Sequence, residues 1–222
     1  MNRPFVLRER WIPAVEVLLG TFVVLGHNVF RIVPNEVPIL VALLFLSLRI
    51  REGRWSVPGL QRPKSWTGTV LIAILAASAL QLGSELMVQP LAALIWPGPQ
   101  HAPSVLTNST FSVKLAIRNV AIVWIFAAFG EELSYRGYLV RRAAELGDCS
   151  VVAKVAAVTY VAVLFGFGHY YKGPAGVLDS TYSGLVLGSV YLFTSGNLWA
   201  AILTHGLSDS FAVLAVYLGW AT

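Results

Sequence analysis

Hydrophobic residues run along this chain in seven long blocks separated by short polar connections. The blocks are Ile12–Val29, Pro34–Leu48, Thr67–Met87, Leu115–Val140, Val151–Gly168, Gly176–Phe193 and Leu198–Trp220. About 17–25 apolar residues are needed for a helix to cross the hydrocarbon of a bilayer, so each block predicts a candidate transmembrane helix. The second is short and has Pro38 near its start, which predicts a tilted helix or a locally thinned bilayer. Leu91 to Trp96 is too short to span, precedes Pro97-Gly98-Pro99, and is expected to lie at the interface. A break between Gly206 and Ser210 would raise the count to eight. The expectation is an all-α, polytopic transmembrane bundle of about seven to eight helices, with residues 1–222 forming one integral membrane domain.

Composition agrees with that pattern. The chain has 222 residues, 56% of them hydrophobic and only 12% charged, and its mean hydropathy is +0.69; these values do not describe a soluble domain. The net charge of +5 comes from cations flanking apolar blocks, with no basic stripe, so no nucleic-acid partner is expected. Arg3, Arg8 and Arg10, the five cations from Arg49 to Lys64, and Arg141, Arg142 and Lys154 mark cytoplasmic loops. Alternate connections carry Arg31 and Lys172, with Lys114 and Arg118 beside the fourth block. The N-terminus is therefore expected in the cytoplasm. The opening segment resembles a signal peptide but shows no small-residue cleavage site, so it reads as a retained span. Cys149, the single cysteine, excludes an intrachain disulfide and argues against a thiolate metal site. Asn108-Ser109-Thr110 fits a glycosylation sequon, a pattern short enough to arise by coincidence.

Three polar clusters interrupt the later blocks. The first is Glu131-Glu132 with Arg136. Glu132 and Arg136 are i and i+4 with the acid N-terminal, the favourable order for a same-face ion pair, and on an α-helix Glu131 points about 100° away, toward another neighbour. The second is Phe165-Gly166-Phe167-Gly168-His169. The third is Thr204-His205-Gly206-Leu207-Ser208-Asp209, in which His205 and Asp209 stack one turn apart on a helix face. A Glu–Arg pair alone is often a structural clamp, and a lone histidine at a span's end is often an interfacial hydrogen-bonder. Charges at bilayer depth cost at least ~2.5–3.5 kcal/mol each on insertion scales, so three such clusters in one small chain make function the default reading. A carboxylate, two imidazoles and a further oxygen ligand suit activation of a water molecule. His27 and His101 have no acidic helical partner in the sequence and read as bystanders, while Glu16 and Glu85 lie in apolar blocks without an evident role.

Glu131-Glu132-x-x-x-Arg136, Phe165-x-x-x-His169 and His205-x-x-x-Asp209, in this order on successive hydrophobic blocks, resemble the signature of the CPBP family of intramembrane proteases. That family includes the CAAX-prenyl-endopeptidase-like (Rce1/Abi) and bacteriocin-processing or self-immunity proteins. The resemblance covers about 115–211, the motif-bearing core. It implies that Glu131 activates the attacking water, that Glu132 pairs with Arg136, that Phe165 supports the site, and that His169, His205 and residue 209 line one cavity. The family often has Asn at that last position, where this chain has Asp209. Relatives of this length and loop economy are bacterial, which implies the bacterial inner membrane, with a membrane-associated peptide or protein as substrate.

The family is commonly labelled metallopeptidase, yet no His-Glu-x-x-His helix is present. Glu131, His169, His205 and Asp209 would fill a closed zinc shell and leave no open position for water, so a metal-free, glutamate-activated water is favoured and zinc is the alternative. The expected activity is an intramembrane endopeptidase reached from the cytoplasmic side; the alternative is a non-hydrolytic transporter or immunity protein that uses the same Glu/His cluster. One geometric difficulty stands against a shared site. Straight helices beginning at a common membrane surface would put Glu131 ~16 Å, His205 ~10 Å and His169 ~27 Å deep. Convergence requires the fifth helix to begin below the surface, to tilt, or to bend near Gly166 and Gly168.

Overall fold

A computed structural model describes residues 10–97 and 112–220. Arg3, Arg8, His101 and the sequon Asn108–Thr110 lie outside the described residues. All seven apolar blocks are helices: α1 Trp11–Asn28, α2 Glu36–Glu52, α3 Trp66–Ile95, α4 Val113–Glu145, α5 Val151–Phe167, α6 Gly173–Phe193 and α7 Leu198–Tyr217. Among the described residues there is no strand. Polar side chains set several helix starts. Asn35, Ser65, Ser112, Ser150 and Asn197 each accept a backbone N–H from the first turn of the helix that follows, a cap worth about 1 kcal/mol. Pro38 falls in the first turn of α2, where its missing N–H has no intrahelical partner to lose.

Two expectations about segment boundaries change. Leu91 to Ile95 is not a separate interfacial piece but the end of α3, which runs 30 residues. A π-helical stretch at Ser84–Val88 shifts the hydrogen-bond step ahead of Pro90 and lets the helix pass through it. Gly206 to Ser210 does not break α7. Gly206 instead makes room for the Trp124 ring, which a Cβ there would approach to 2.7 Å.

Length and composition let α1, α3, α4 and α7 cross a membrane, while α5 and α6 pass the same test only as a pair bent by 57°; α2 does not pass it. The packing shows α5 and α6 running back along one another. A Cβ on Gly166 would meet Thr181 Oγ1 at 2.0 Å, one on Gly184 would meet Ala162 Cα at 2.8 Å, and one on Gly188 would meet Val158 Cγ1 at 2.5 Å. Gly184-x-x-x-Gly188 thus lets two helix backbones approach closely, the device that replaces the hydrophobic effect where lipid is the solvent.

One end of the bundle is an ionic lattice. Glu16 accepts from Ser47 and from Arg51, the latter at 2.6 Å, and Arg51 also reaches Glu145 at 2.7 Å. Arg142, almost fully buried, bridges Glu145 at 2.6 Å and Glu52 at 3.0 Å, while Arg141 donates to Glu52 at 2.7 Å. Arg10 meets Asp148 at 2.6 Å. This answers the question of Glu16, which binds the start of α1 to the ends of α2 and α4. Above the lattice lies a dry layer that includes Leu44, Leu48, Tyr138, Leu139, Val140, Leu198 and Ile202.

Candidate active site

The middle of α4 is π-helical over Val123–Glu131 and again over Leu133–Val140. Such widened turns cluster at functional sites in other proteins, and here they carry the charged motif. Glu132 is fully buried, and its Oε1 accepts from Arg136 Nη1 at 2.9 Å and from His205 Nδ1 at 2.9 Å. Arg136 Nη2 donates to the Gly184 carbonyl at 3.0 Å, and its guanidinium carbon lies 4.9 Å from the Phe165 ring centroid. The pair that spacing suggested is therefore present, with a third member, His205, that spacing within one helix cannot reveal.

Phe165 joins the three clusters. Its ring stands edge-on to Tyr135 at 4.9 Å, lies 4.8 Å from the His169 ring and 6.1 Å from the His205 ring. Those contacts also resolve the depth difficulty. Phe165 is level with Tyr135 and Arg136, so α5 starts well beyond the end of α4 rather than at a shared surface. His169 then reaches the level of Glu131 at the break between α5 and α6.

A single cavity of about 620 Å³ has Glu131, Phe165, His169, His205 and Asp209 all on its wall. His205 Nε2 lies 3.5 Å from Asp209 Oδ2 and 4.0 Å from Glu131 Oε2. Glu131 Oε2 is shielded from solvent and makes no hydrogen bond. An unsatisfied carboxylate oxygen on a cavity wall is the position for a ligand or water. Hydrogen bonding also fixes the imidazoles. His205 Nδ1 faces a carboxylate that already takes a guanidinium proton, so Nδ1 carries the hydrogen, and Nε2 is left toward Glu131 and Asp209. His169 Nδ1 lies 3.0 Å from the Phe165 carbonyl, which can only accept. Nδ1–H therefore donates there, and Nε2 of the neutral ring is an acceptor.

These engagements bear on zinc. Both Nδ1 atoms are engaged, which leaves each Nε2 open as in metal-bound histidines, but among the described residues no group of three or more His, Cys, Asp or Glu side chains is placed to hold a metal ion. As arranged, Glu131, His169, His205 and Asp209 do not fit a closed zinc shell.

Asp179, Gln81 and Ser84 escaped the sequence reading, and Glu85 and Lys172 were given no place in the site; all five line the same cavity. Ser84 Oγ donates to Asp179 Oδ1 at 2.5 Å, and Gln81 donates to Ser208 Oγ at 2.9 Å. The signal was present for Asp179, a charge inside an apolar block. His27 is not without an acidic partner: its Nε2 lies 3.2 Å from Glu36 Oε2, because the turn between α1 and α2 brings the two helix ends together. The cavity extends from Glu131 toward Gln89 and Lys172, away from the arginine lattice.

An apolar helical bundle with carboxylates and imidazoles gathered in its middle defines an integral membrane protein with a polar chamber. Residues 113–211, the stretch that supplies Glu131, His169, His205 and Asp209, match the family model described as Rce1-like, type II CAAX prenyl endopeptidase Rce1-like, the family that the motifs resemble. That family model describes endopeptidases. No curated protein and no solved structure matches the chain.

Proposed function

We propose that the protein is an intramembrane endopeptidase in which Glu131 activates water to hydrolyse a peptide bond of a membrane-associated substrate. The observation that carries this reading is the unpartnered Oε2 of Glu131 on the cavity wall beside His205. A water held between that oxygen and His169 Nε2, both acceptors, has its two protons committed and its lone pairs free to face a carbonyl. Glu131 takes one proton as the oxygen attacks the carbonyl carbon, and a tetrahedral oxyanion forms. An N–H at His205 Nε2 would hydrogen-bond to that oxyanion and keep its proton, with Glu132 holding the ring through Nδ1. Glu131 then returns its proton to the departing amine, the carbonyl re-forms and the C–N bond breaks. Asp209 supports His205 on the side away from Glu132. No step requires a metal, and the site acts in the bacterial inner membrane with the N-terminus cytoplasmic.

Glu131→Gln tests the assignment. It keeps size and hydrogen bonding but removes proton acceptance, so cleavage of membrane peptides should fall by ~10²–10⁴-fold while detergent-resistant folding is retained. A Glu131→Gln protein that cleaves at the wild-type rate removes Glu131 as the base.

A further inference from the structure

We infer that the chamber receives its substrate from the non-cytoplasmic face, and that this substrate is a hydrated polypeptide segment rather than a lipid-modified cytoplasmic tail. The inference rests on the endopeptidase reading for its chemistry, but not for its geometry.

The direction follows from helix register. Gln81 is level with Ser208 through their hydrogen bond, and Gln89 lies eight residues further along α3, ~12 Å beyond at helical rise. Ser84 is level with Asp179 through theirs, and Lys172 lies seven residues back along the chain, ~10 Å further in the same direction. Both Gln89 and Lys172 belong to the cavity wall. The arginine lattice lies the other way, with Leu139, Leu198 and Ile202 packed between it and Glu131. The chamber wall therefore extends toward the end remote from the lattice.

The charge asymmetry then names that end. Arg10, Arg49, Arg51, Arg54, Arg62, Lys64, Arg141, Arg142 and Lys154 gather at the lattice end, nine cations against Arg31, Lys114, Arg118 and Lys172 at the other. An excess of that size marks the cytoplasmic side. The chemistry of the passage names the substrate. From Gln81 outward the wall presents Ser84, Glu85, Gln89, Asp179 and Lys172; Ser84 and Asp179 pair with each other, and an isoprenoid chain lying along the others would strip them of water. A peptide backbone, with a donor and an acceptor at every residue, can satisfy them.

The orientation can be measured without catalysis. Cys149 is exposed in the loop after α4 and is the single cysteine, so it reports the lattice end. In Cys149→Ser protein, Lys172→Cys or Gln89→Cys reports the chamber mouth. With a membrane-impermeant maleimide, Cys149 should react at least tenfold faster in inside-out than in right-side-out vesicles, and the mouth cysteines should show the opposite ratio. Mouth cysteines that react from the same face as Cys149, or from the cytoplasmic face, overturn the inference. In proteoliposomes of known orientation, unmodified peptides supplied at the mouth face should be cut by wild type and not by Glu131→Gln. Cleavage only from the Cys149 face, or only of prenylated peptides, also overturns it. Labelling at the expected faces with no peptide cut from either side refutes the endopeptidase reading and leaves the access face supported.

Discussion

Removing the charge of Glu132 should destabilise this protein and not merely inactivate it. The carboxylate is fully buried and one of its oxygens serves both Arg136 and His205. Glu132→Gln keeps an oxygen acceptor and the side-chain volume, so packing is nearly unchanged, but it leaves a buried guanidinium with only neutral acceptors, the new amide oxygen and the Gly184 carbonyl, and no counter-charge. Breaking a buried pair in this way costs about 3–5 kcal/mol, a large share of the ~5–15 kcal/mol that separates folded from unfolded protein. At ~2–4 °C per kcal/mol for a chain of this size, the melting temperature should fall by roughly 10 °C. Replacing Glu132 and Arg136 together by Leu and Met removes both charges and should recover part of the loss. Recovery stays incomplete because His205 Nδ1–H would then be buried without a partner, at a cost of about 1–3 kcal/mol. The assay is thermal unfolding in detergent of wild type, Glu132→Gln and the double variant, with peptide cleavage followed in parallel. A single variant that melts within 2 °C of wild type, or a double variant less stable than the single, would show that the ion pair does not hold the bundle as argued.

Gly184→Ala should cost about 1–3 kcal/mol, since the new methyl would lie 2.8 Å from the Ala162 backbone and push away the carbonyl that Arg136 uses; unfolding with unchanged cleavage per folded molecule is the expected pattern. Asp209→Asn keeps an oxygen beside His205 Nε2 and should leave kcat/KM within about tenfold, whereas Asp209→Leu should lose ~10²-fold or more. At the ionic lattice, burial alone would raise the Glu52 carboxyl, but Arg141, Arg54 and Arg142 outweigh it and hold it down to about 2. A depressed carboxylate contributes stability that is complete above its unfolded value of about 4.5 and fades as pH falls toward 2, worth up to about 3 kcal/mol. Acid titration of stability should therefore be steeper between pH 4.5 and 2 in wild type than in Glu52→Gln.

Hydrophobic block length revealed all seven helices, because lipid permits little else to carry a buried backbone. Sequence spacing also revealed Glu132 with Arg136, a contact set by one turn of one helix. It could not reveal His205 on Glu132, Ser84 on Asp179 or His27 on Glu36, because each depends on how two separate helices register. Depth misled for a related reason: counting residues from loop ends assumed a common surface, and α5 and α7 do not start at the same level as α4 ends. The course of α3 through Pro90 was hidden because a π-helical turn has no sequence signature comparable to the proline it accommodates.

The dry layer around Leu139, Leu198 and Ile202 has a bioenergetic consequence. In an energised membrane, a chamber that held water at mid-depth would leave only part of the thickness as insulator, and the electric field would concentrate across what remains. Apolar side chains there, backed by a guanidinium paired with its carboxylate, would interrupt a proton's path from the chamber. The bundle can keep solvent beside Glu131 without becoming a leak in the membrane that contains it.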